Sequence, residues 1–362
     1  MRFIGRTQTV FDWSRDACEP VDIPDQAARA FRDWRGKVHL FASHYVTRKF
    51  SGKNLNHVRH SCRVVMRSGY DSRPAQFNDR EWLSATYTPD GRTIYALLHT
   101  EYQGSTHPGR CPSSSYERCW YNAITLARSA NGGRTFTRVR SPRQLVAAVP
   151  YRYRPDSGPY GLFQPSNIVR KGGYYYALLQ ASRYELQQQG SCLIRTRHLG
   201  EARSWRAWDG SGFNVRFINP YSPRLKNPAS HICTPISLQN ISVLTQSLTY
   251  NTYLRKYLLV GTSVKAPAPG RQVVQGIYYS TSSDLINWSP RRRLVKVVLP
   301  PLYKCGDGRP IAYPSLLDPK SSSRNFGTTG RRPYLYFTRF NYRRCRQTLD
   351  RDLLRRRVEL SG

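Results

Sequence analysis

Acidic residues are the scarce chemical component of this 362-residue chain: 22 Asp and Glu stand against 57 Lys and Arg, giving a formal net charge of +35 at pH 7. With so few carboxylates, each can be weighed individually as a turn former or as a candidate acid or base. No apolar run approaches the roughly 20 residues of a membrane-spanning helix, so no membrane span is expected. No amphipathic helix of any length stands out, which points away from α and α/β folds. Residues Met1 to Glu19 carry neither an apolar core nor a small-residue cleavage site, and no signal peptide is visible.

The eight cysteines, at 18, 62, 111, 119, 192, 233, 305 and 345, form no C-x-x-C pair and no Cys/His zinc spacing, so a metal held through cysteine is not expected. An even count suits disulfides. Cys111 and Cys119 bracket Pro112 to Arg118 as a local clasp, and free buried thiols are the alternative. Disulfides would favour an extracellular or exported location. There is also no basic helix, no RNA-binding aromatic signature and no zinc finger, which argues against specific nucleic-acid recognition. The positive field would still gather anionic polymers.

What the chain does have is a three-strand pattern that recurs five times from Arg29 onward. The second strand of each unit is the clearest: Lys37 to Ser43, Thr93 to His99, Tyr174 to Leu179, Lys256 to Gly261 and Tyr334 to Thr338. The first three of these follow turn signals, Arg35-Gly36, Asp90-Gly91 and Gly172-Gly173, which reverse a chain between antiparallel strands. First strands are expected at Ala27 to Phe31, Trp82 to Tyr87, Phe163 to Val169, Ile241 to Leu248 and Ile311 to Leu316. Third strands are expected near Arg63 to Arg67, Asn122 to Arg128, Cys192 to Thr196, Gly276 to Thr281 and Asp352 to Glu359. Small antiparallel sheets in series close best as a radial propeller, which leaves only short edges. The expected fold is therefore all-β, a five-bladed β-propeller, with a β-sandwich as the alternative. Residues 1–20 would be an N-terminal segment packed on a single propeller domain of residues 21–362.

Several acids have local structural roles: Asp90 sits in a turn, Asp71 and Asp284 follow third strands, and Asp318 caps a loop. In an antiparallel meander, the start of the first strand and the end of the second meet on one rim. That geometry selects Asp25, Asp79 and Glu81 at strand entrances, and His44, His99, Glu101, Glu185 and Arg339 at strand exits. Gln164 and Gln239 occupy the remaining entrances and could bind hydroxyl groups without transferring protons. The stretch from His99 to Gly104, followed by His107 and by Trp120-Tyr121-Asn122, is the densest cluster of reactive side chains.

The blade-one stretch Asp25 to Ser43, the element Ser282 to Trp288 and the segment Tyr313-Pro314-Ser315-Leu316-Leu317-Asp318 make the chain resemble the five-bladed β-propeller glycosidases. That superfamily includes arabinanases, xylosidases, fructosidases and mannoside phosphorylases. The resemblance implies a general base or nucleophile at Asp25, and a second acid in blade two at Asp79 or Glu81. Its third acid, a Glu in blade three, has no match, because Gln164 stands at the expected entrance and Glu185 is the blade-three carboxylate on the same rim. Glu101 takes that role instead, with His99, Tyr102 and Tyr121 near it in sequence. The resemblance also allows a structural calcium ion in the central channel, although no acidic calcium loop is present; no other cofactor is expected. Ser129 to Phe136 is similar to the sialidase Asp-box, with Asn131 in place of its Asp. In that family the box is a stabilising turn remote from catalysis.

The expected function is hydrolysis of an oligo- or polysaccharide by two carboxylates in the propeller funnel, one protonating the leaving oxygen and the other attacking or activating water. Asp25, Glu101, Glu81 and Asp79 are the catalytic candidates; Arg29, His44, His99, Tyr121, Gln164, Asn167, Glu185 and Arg339 are the substrate-binding candidates. The substrate is a carbohydrate that could be anionic, and a monomer is expected. The alternatives are a noncatalytic propeller that binds glycans or polyanions, and a lyase acting on acidic polysaccharide with His44, His99 and Tyr121 as base and acid.

Overall fold

The computed structural model describes residues 1–265 and 273–361 and is all-β among them. In chain order, β1 (Arg2–Phe11) is followed by a first antiparallel run, β2 (Arg29–Arg32), β3 (Val38–Phe41), β4 (Val46–Gly52) and β5 (Val58–Arg67). Next come β6 (Arg80–Tyr87), β7 (Ile94–Gln103) and β8 (Trp120–Ser129), with the short β9 (Thr137–Arg138) and β10 (Leu145–Ala147) on the edge of β8. The third run holds β11 (Tyr160–Phe163), β12 (Val169–Lys171), β13 (Tyr174–Ala181), β14 (Gly190–Thr196) and β15 (Arg206–Ala207). Then β16 (Ser247–Asn251), β17 (Lys256–Lys265), β18 (Val274–Ser282) and β19 (Arg292–Lys296) follow. The chain ends with β20 (Ile311–Leu317), β21 (Thr328–Thr329), β22 (Tyr334–Phe340) and β23 (Arg351–Glu359).

Two parallel contacts knit neighbouring runs together. β11 pairs with β8, matching Tyr160 with Tyr121 and Gly161 with Asn122, and β21 pairs with β16. The first contact requires glycine: at φ +118°, a Cβ on Gly161 would lie 2.1 Å from the carbonyl oxygen of Asn122. β1 completes the last sheet by pairing antiparallel with β23, Arg2 opposite Glu359 and Phe11 opposite Leu353.

The strands alternate inward and outward side chains, and the apolar core is accordingly divided into clusters between runs. Phe31, Phe41 and Met66 meet Leu83, Leu98 and Phe136 between the first and second runs. Equivalent clusters lie between each following pair. One more, containing Val38, Leu40, Tyr336 and Leu353, joins the last run to the first. The packing is therefore circular.

At the middle lies Arg29, 3% exposed. Its guanidinium donates to the carbonyl oxygens of Ser84 (2.8 Å), Pro165 (3.1 Å), Gln246 (2.6 Å) and Ala28 (3.2 Å), and to Ser315 Oγ (3.3 Å). These partners come from every run. Burial pulls its pKa down to about 9, still cationic at neutral pH.

Most strand expectations coincide with the observed elements, and three do not. Arg63 to Arg67 lies in β5, the fourth strand of the first run, because β4 intervenes; its Arg48 and Lys49 are buried with partners, which disguised it as polar. Phe163 to Val169 is broken between β11 and β12, where Gln164 adopts φ 41° and Pro165 offers no N–H to a ladder. Ile241 to Leu248 divides into a helical turn, Leu238–Ile241, and the start of β16, with Ser242 at φ 53° between them. All eight cysteines are paired, as Cys18–Cys62, Cys111–Cys119, Cys192–Cys233 and Cys305–Cys345, so the free-thiol alternative falls. The expected turn acids behave as turn acids: Asp90 Oδ1 accepts from the backbone of Arg92 and Thr93, and Asp284 Oδ1 from Ile286 and Asn287. Asn131 does the same for Arg134 and Thr135.

Replacing Arg29 with Met keeps side-chain bulk and leaves the carbonyls of Ser84, Pro165 and Gln246 buried without donors. At roughly 1–3 kcal/mol for each orphaned group, the variant should lose about 3 kcal/mol or more. A urea midpoint equal to that of the wild type would show that the axis does not depend on this arginine.

Candidate active site

The register of β6 against β7 sorts the candidate acids. Arg80 stands opposite Glu101, Glu81 opposite Thr100 and Trp82 opposite His99. Directly opposed residues share a face and successive residues change face. Glu101, His99, Trp82 and Arg80 therefore project together, while Glu81 projects the other way.

On the first face the side chains converge on Asp25, which sits just before β2. Its Oδ2 accepts from Trp82 Nε1 at 3.0 Å, and its Oδ1 from the Tyr313 hydroxyl at 3.1 Å and from Arg351. His44 Nε2 lies 3.6 Å from Oδ2. Three donors fix this carboxylate, and one is its counter-charge. The Trp82 ring also stacks obliquely toward His99, with centroids 5.9 Å apart, linking Asp25 to the second carboxyl.

Glu101 is buried at the end of β7. Its Oε2 accepts from Gln103 Nε2 at 2.7 Å and from the Tyr116 hydroxyl at 3.4 Å. Gln103 is itself held by its backbone N–H to Asp79 Oδ2 (2.9 Å) and by Arg80 on its Oε1. Burial, with a smaller contribution from the negative charge of Asp25, pushes the Glu101 carboxyl up to about 8. His99 supports the same protonation state. Its Nε2 lies 2.8 Å from Asn122 Oδ1, and the Asn122 amide nitrogen donates to the Tyr160 carbonyl, so the Asn122 oxygen faces the histidine and Nε2 carries the proton. The bare Nδ1 then points toward Glu101 Oε1 at 3.7 Å. Burial holds both His99 and His44 down to about 4, so both are neutral. Tyr116, half exposed, lies over this group, with Trp120 5.1 Å from its ring and Phe163 beyond.

The pair Asp25 and Glu101, with His44 and His99, is thus gathered into one cluster. Other sequence candidates lie elsewhere. Glu81 faces away from the cluster and is paired with Arg138 at 2.9 Å. Asp79, 1% exposed, orients Gln103 and lies 3.0 Å from His107, a supporting role one step from the carboxyls. Arg29 is the axial anchor and not a surface for ligands. Tyr121 is core, packed against Tyr160. Asn167 fastens the third run to β16 by bonding both the N–H and the carbonyl of Leu248. Gln164 receives a bond from Gln246 (3.3 Å) beside the axis. Glu185 is exposed in the turn between Tyr184 and Gln187, at φ 48°. Arg339 is paired with Asp352 at 2.6 Å.

Trp82, Gln103, Tyr116, Tyr313 and Arg351 were not among the site residues named from the sequence, although Gln103 lies in the His99 to Gly104 stretch and Tyr313 opens a segment that carries the resemblance. Gln103 had a readable signal, lying two residues from Glu101 on the same strand face. Arg351 had none, being 326 residues from Asp25. For a calcium ion at the axis the residues do not fit: the carbonyl oxygens there already receive the Arg29 guanidinium, and no carboxylate is among its partners.

No protein-family profile matches the chain, and no curated protein does. Solved structures do. A GH32 β-fructofuranosidase of Bombyx mori in complex with sucrose is similar at 13% identity and a TM-score of 0.52, over 97% of this chain and 62% of that one. Sucrose-6-phosphate hydrolase from Lactobacillus gasseri gives 11% and 0.51, over 96% of this chain and 63% of the other. The present chain spans under two thirds of either. A glycosyl hydrolase from Bacteroides ovatus gives 10% and 0.50, over 97% and 94%. The fold is that of the propeller glycosidases.

Glu101 links protonation to stability in a defined direction. Its carboxyl is raised from 4.5 to about 8, so the native state keeps a proton that the unfolded state releases. This group's contribution therefore falls as pH rises between those values, by at most about 1.4 kcal/mol per pH unit. Glu101→Gln abolishes that linkage. Its stability relative to wild type should climb steadily from about pH 5 to about pH 8 in paired urea titrations; a pH-independent difference would mean that the carboxyl titrates normally.

Proposed function

We propose that the protein is a glycoside hydrolase in which Glu101 is the general acid and Asp25 the attacking or water-activating carboxylate. The observation that carries this reading is the contrast between the two groups. Glu101 is buried, served by neutral donors and held protonated at neutral pH, whereas Asp25 accepts from three donors, Trp82, Tyr313 and the cationic Arg351. A carboxyl kept protonated by burial, near a second carboxyl that faces a guanidinium, is the arrangement an acid and base assignment requires. Glu101 would protonate the glycosidic oxygen while Asp25 attacks the anomeric carbon or takes a proton from water. Tyr116, Trp120 and Phe163 would supply apolar faces for a sugar ring.

The circular packing, with a core cluster between each consecutive pair of runs and another from last to first, supports five blades around the Arg29 axis. A carbohydrate substrate accords with a sucrose complex of a protein sharing the fold. Four disulfides accord with an extracellular or exported protein.

One observation favours a second reading. The ion pair between Asp25 and Arg351 could serve to hold the funnel's shape alone, and with a net charge of +35 the molecule would then be a binding propeller for glycans or polyanions.

Release of reducing sugar from sucrose, levan and arabinan distinguishes the two. Hydrolysis by the wild type should drop about 10²- to 10⁴-fold in Asp25→Asn and in Glu101→Gln. The kcat profile should lose activity above about pH 8 as the acid deprotonates. Undiminished turnover in both variants would remove these residues from the mechanism. Absence of turnover in the wild type, with salt-sensitive retention on heparin, would establish the binding reading.

A further inference from the structure

On the face of β6 opposite the Asp25 cluster lies a cavity of about 380 Å³, lined by β5, β6 and β9 and by the loops before β6 and after β9. Its polar lining is not spent internally. Glu81 is fully buried; one oxygen, Oε2, receives Arg138 at 2.9 Å, and the other, Oε1, has no hydrogen-bond partner. Gln144, 5% exposed, donates its amide to the Gln76 carbonyl at 3.1 Å and leaves Oε1 unpartnered. Two buried acceptors on residues that line the cavity thus lack partners, and orphaned acceptors are costly. Arg67 and Arg140 are exposed at its rim, and Phe77 and Phe136 provide an apolar floor.

We propose that this cavity is a second ligand site, for a hydroxylated anion of the kind presented by a hexuronate sugar unit. The hydroxyls would donate to Glu81 Oε1 and Gln144 Oε1, the ring face would lie on the phenylalanines, and the carboxylate would meet Arg67 and Arg140. Acceptors inside and guanidinium donors outside suit a molecule that carries both hydroxyls and negative charge, and suit neither a plain sugar nor a bare anion as well. Burial pushes the Glu81 carboxyl up to about 7, so hydroxyl donors that favour its charged form have something to gain there. The proposal stands apart from the hydrolase reading, since it uses none of the Asp25 cluster.

Titration calorimetry with D-glucuronate, D-glucose and inorganic phosphate tests it on the intact protein. Glucuronate should bind saturably, and both comparison compounds at least about tenfold more weakly, each having lost one set of contacts worth about 1.4 kcal/mol or more. Arg140→Ala and Glu81→Gln should each weaken glucuronate about tenfold or more, while Asp25→Asn binds as the wild type does. Arg140 is at the surface, so its variant reports even if Glu81→Gln fails to fold. The proposal is overturned by no saturable glucuronate binding, by phosphate binding as well as glucuronate, by unchanged affinity in Arg140→Ala, or by loss of binding in Asp25→Asn.

Discussion

Everything in this molecule is arranged around one buried cation. Arg29 reaches carbonyl or hydroxyl oxygens on each antiparallel run, and among the described residues no carboxylate is one of its partners. A guanidinium has five N–H donors in a fixed planar fork, so it can hold several chain segments at set angles where a metal ion would need anionic ligands. A protein with 57 basic residues and 22 acidic ones has little carboxylate to spare for such an ion. Using an arginine at the axis is consistent with that composition, and leaves its few acids free for turns and for the candidate site.

That site in turn depends on strand alternation. Asp25, His99 and Glu101 meet because Trp82 opposes His99 and Arg80 opposes Glu101 across β6 and β7. Glu81, one residue along from Trp82, falls on the other face, into a separate cavity with a different set of arginines. One strand pair therefore separates two carboxyls that are both raised by burial, Glu81 to about 7 and Glu101 to about 8. Glu101 shares its face with Asp25, whereas Glu81 is paired with Arg138, and this sets the two faces apart chemically.

The repeated strands, the turn acids and the Cys111–Cys119 clasp were legible because each depends on residues close in sequence. Ser129 with Asn131, and Ser282 with Asp284, form the same kind of side-chain-capped turn at the ends of β8 and β18. Strand β4 was missed because its buried Arg48 and Lys49 find partners at Glu19 and Gly133, far along the chain. The expected first strands near Gln164 and Ile241 failed at residues with positive φ, Gln164 and Ser242, whose backbone is set by tertiary packing and not by their own preference. Among candidate site residues, the strand-rim argument found Asp25, His44, His99 and Glu101. It also selected Asp79, Glu81, Glu185 and Arg339, which lie outside the cluster, and Arg29, Asn167 and Tyr121, named as binding candidates on other grounds, bind neighbouring runs together.

The sequence by itself determined an all-β chain of repeated antiparallel units, an excess of positive charge and a short list of acids, because hydrophobic alternation and turn chemistry act over a few residues. Tertiary structure decided which acids face each other, which arginine becomes an axis and which a counter-ion, and which cysteines pair. Those outcomes hang on contacts such as Arg351 with Asp25 or Arg29 with Gln246, separated by 326 and 217 residues. Local preference cannot specify such distances; only the closed packing of the runs brings these groups within bonding reach.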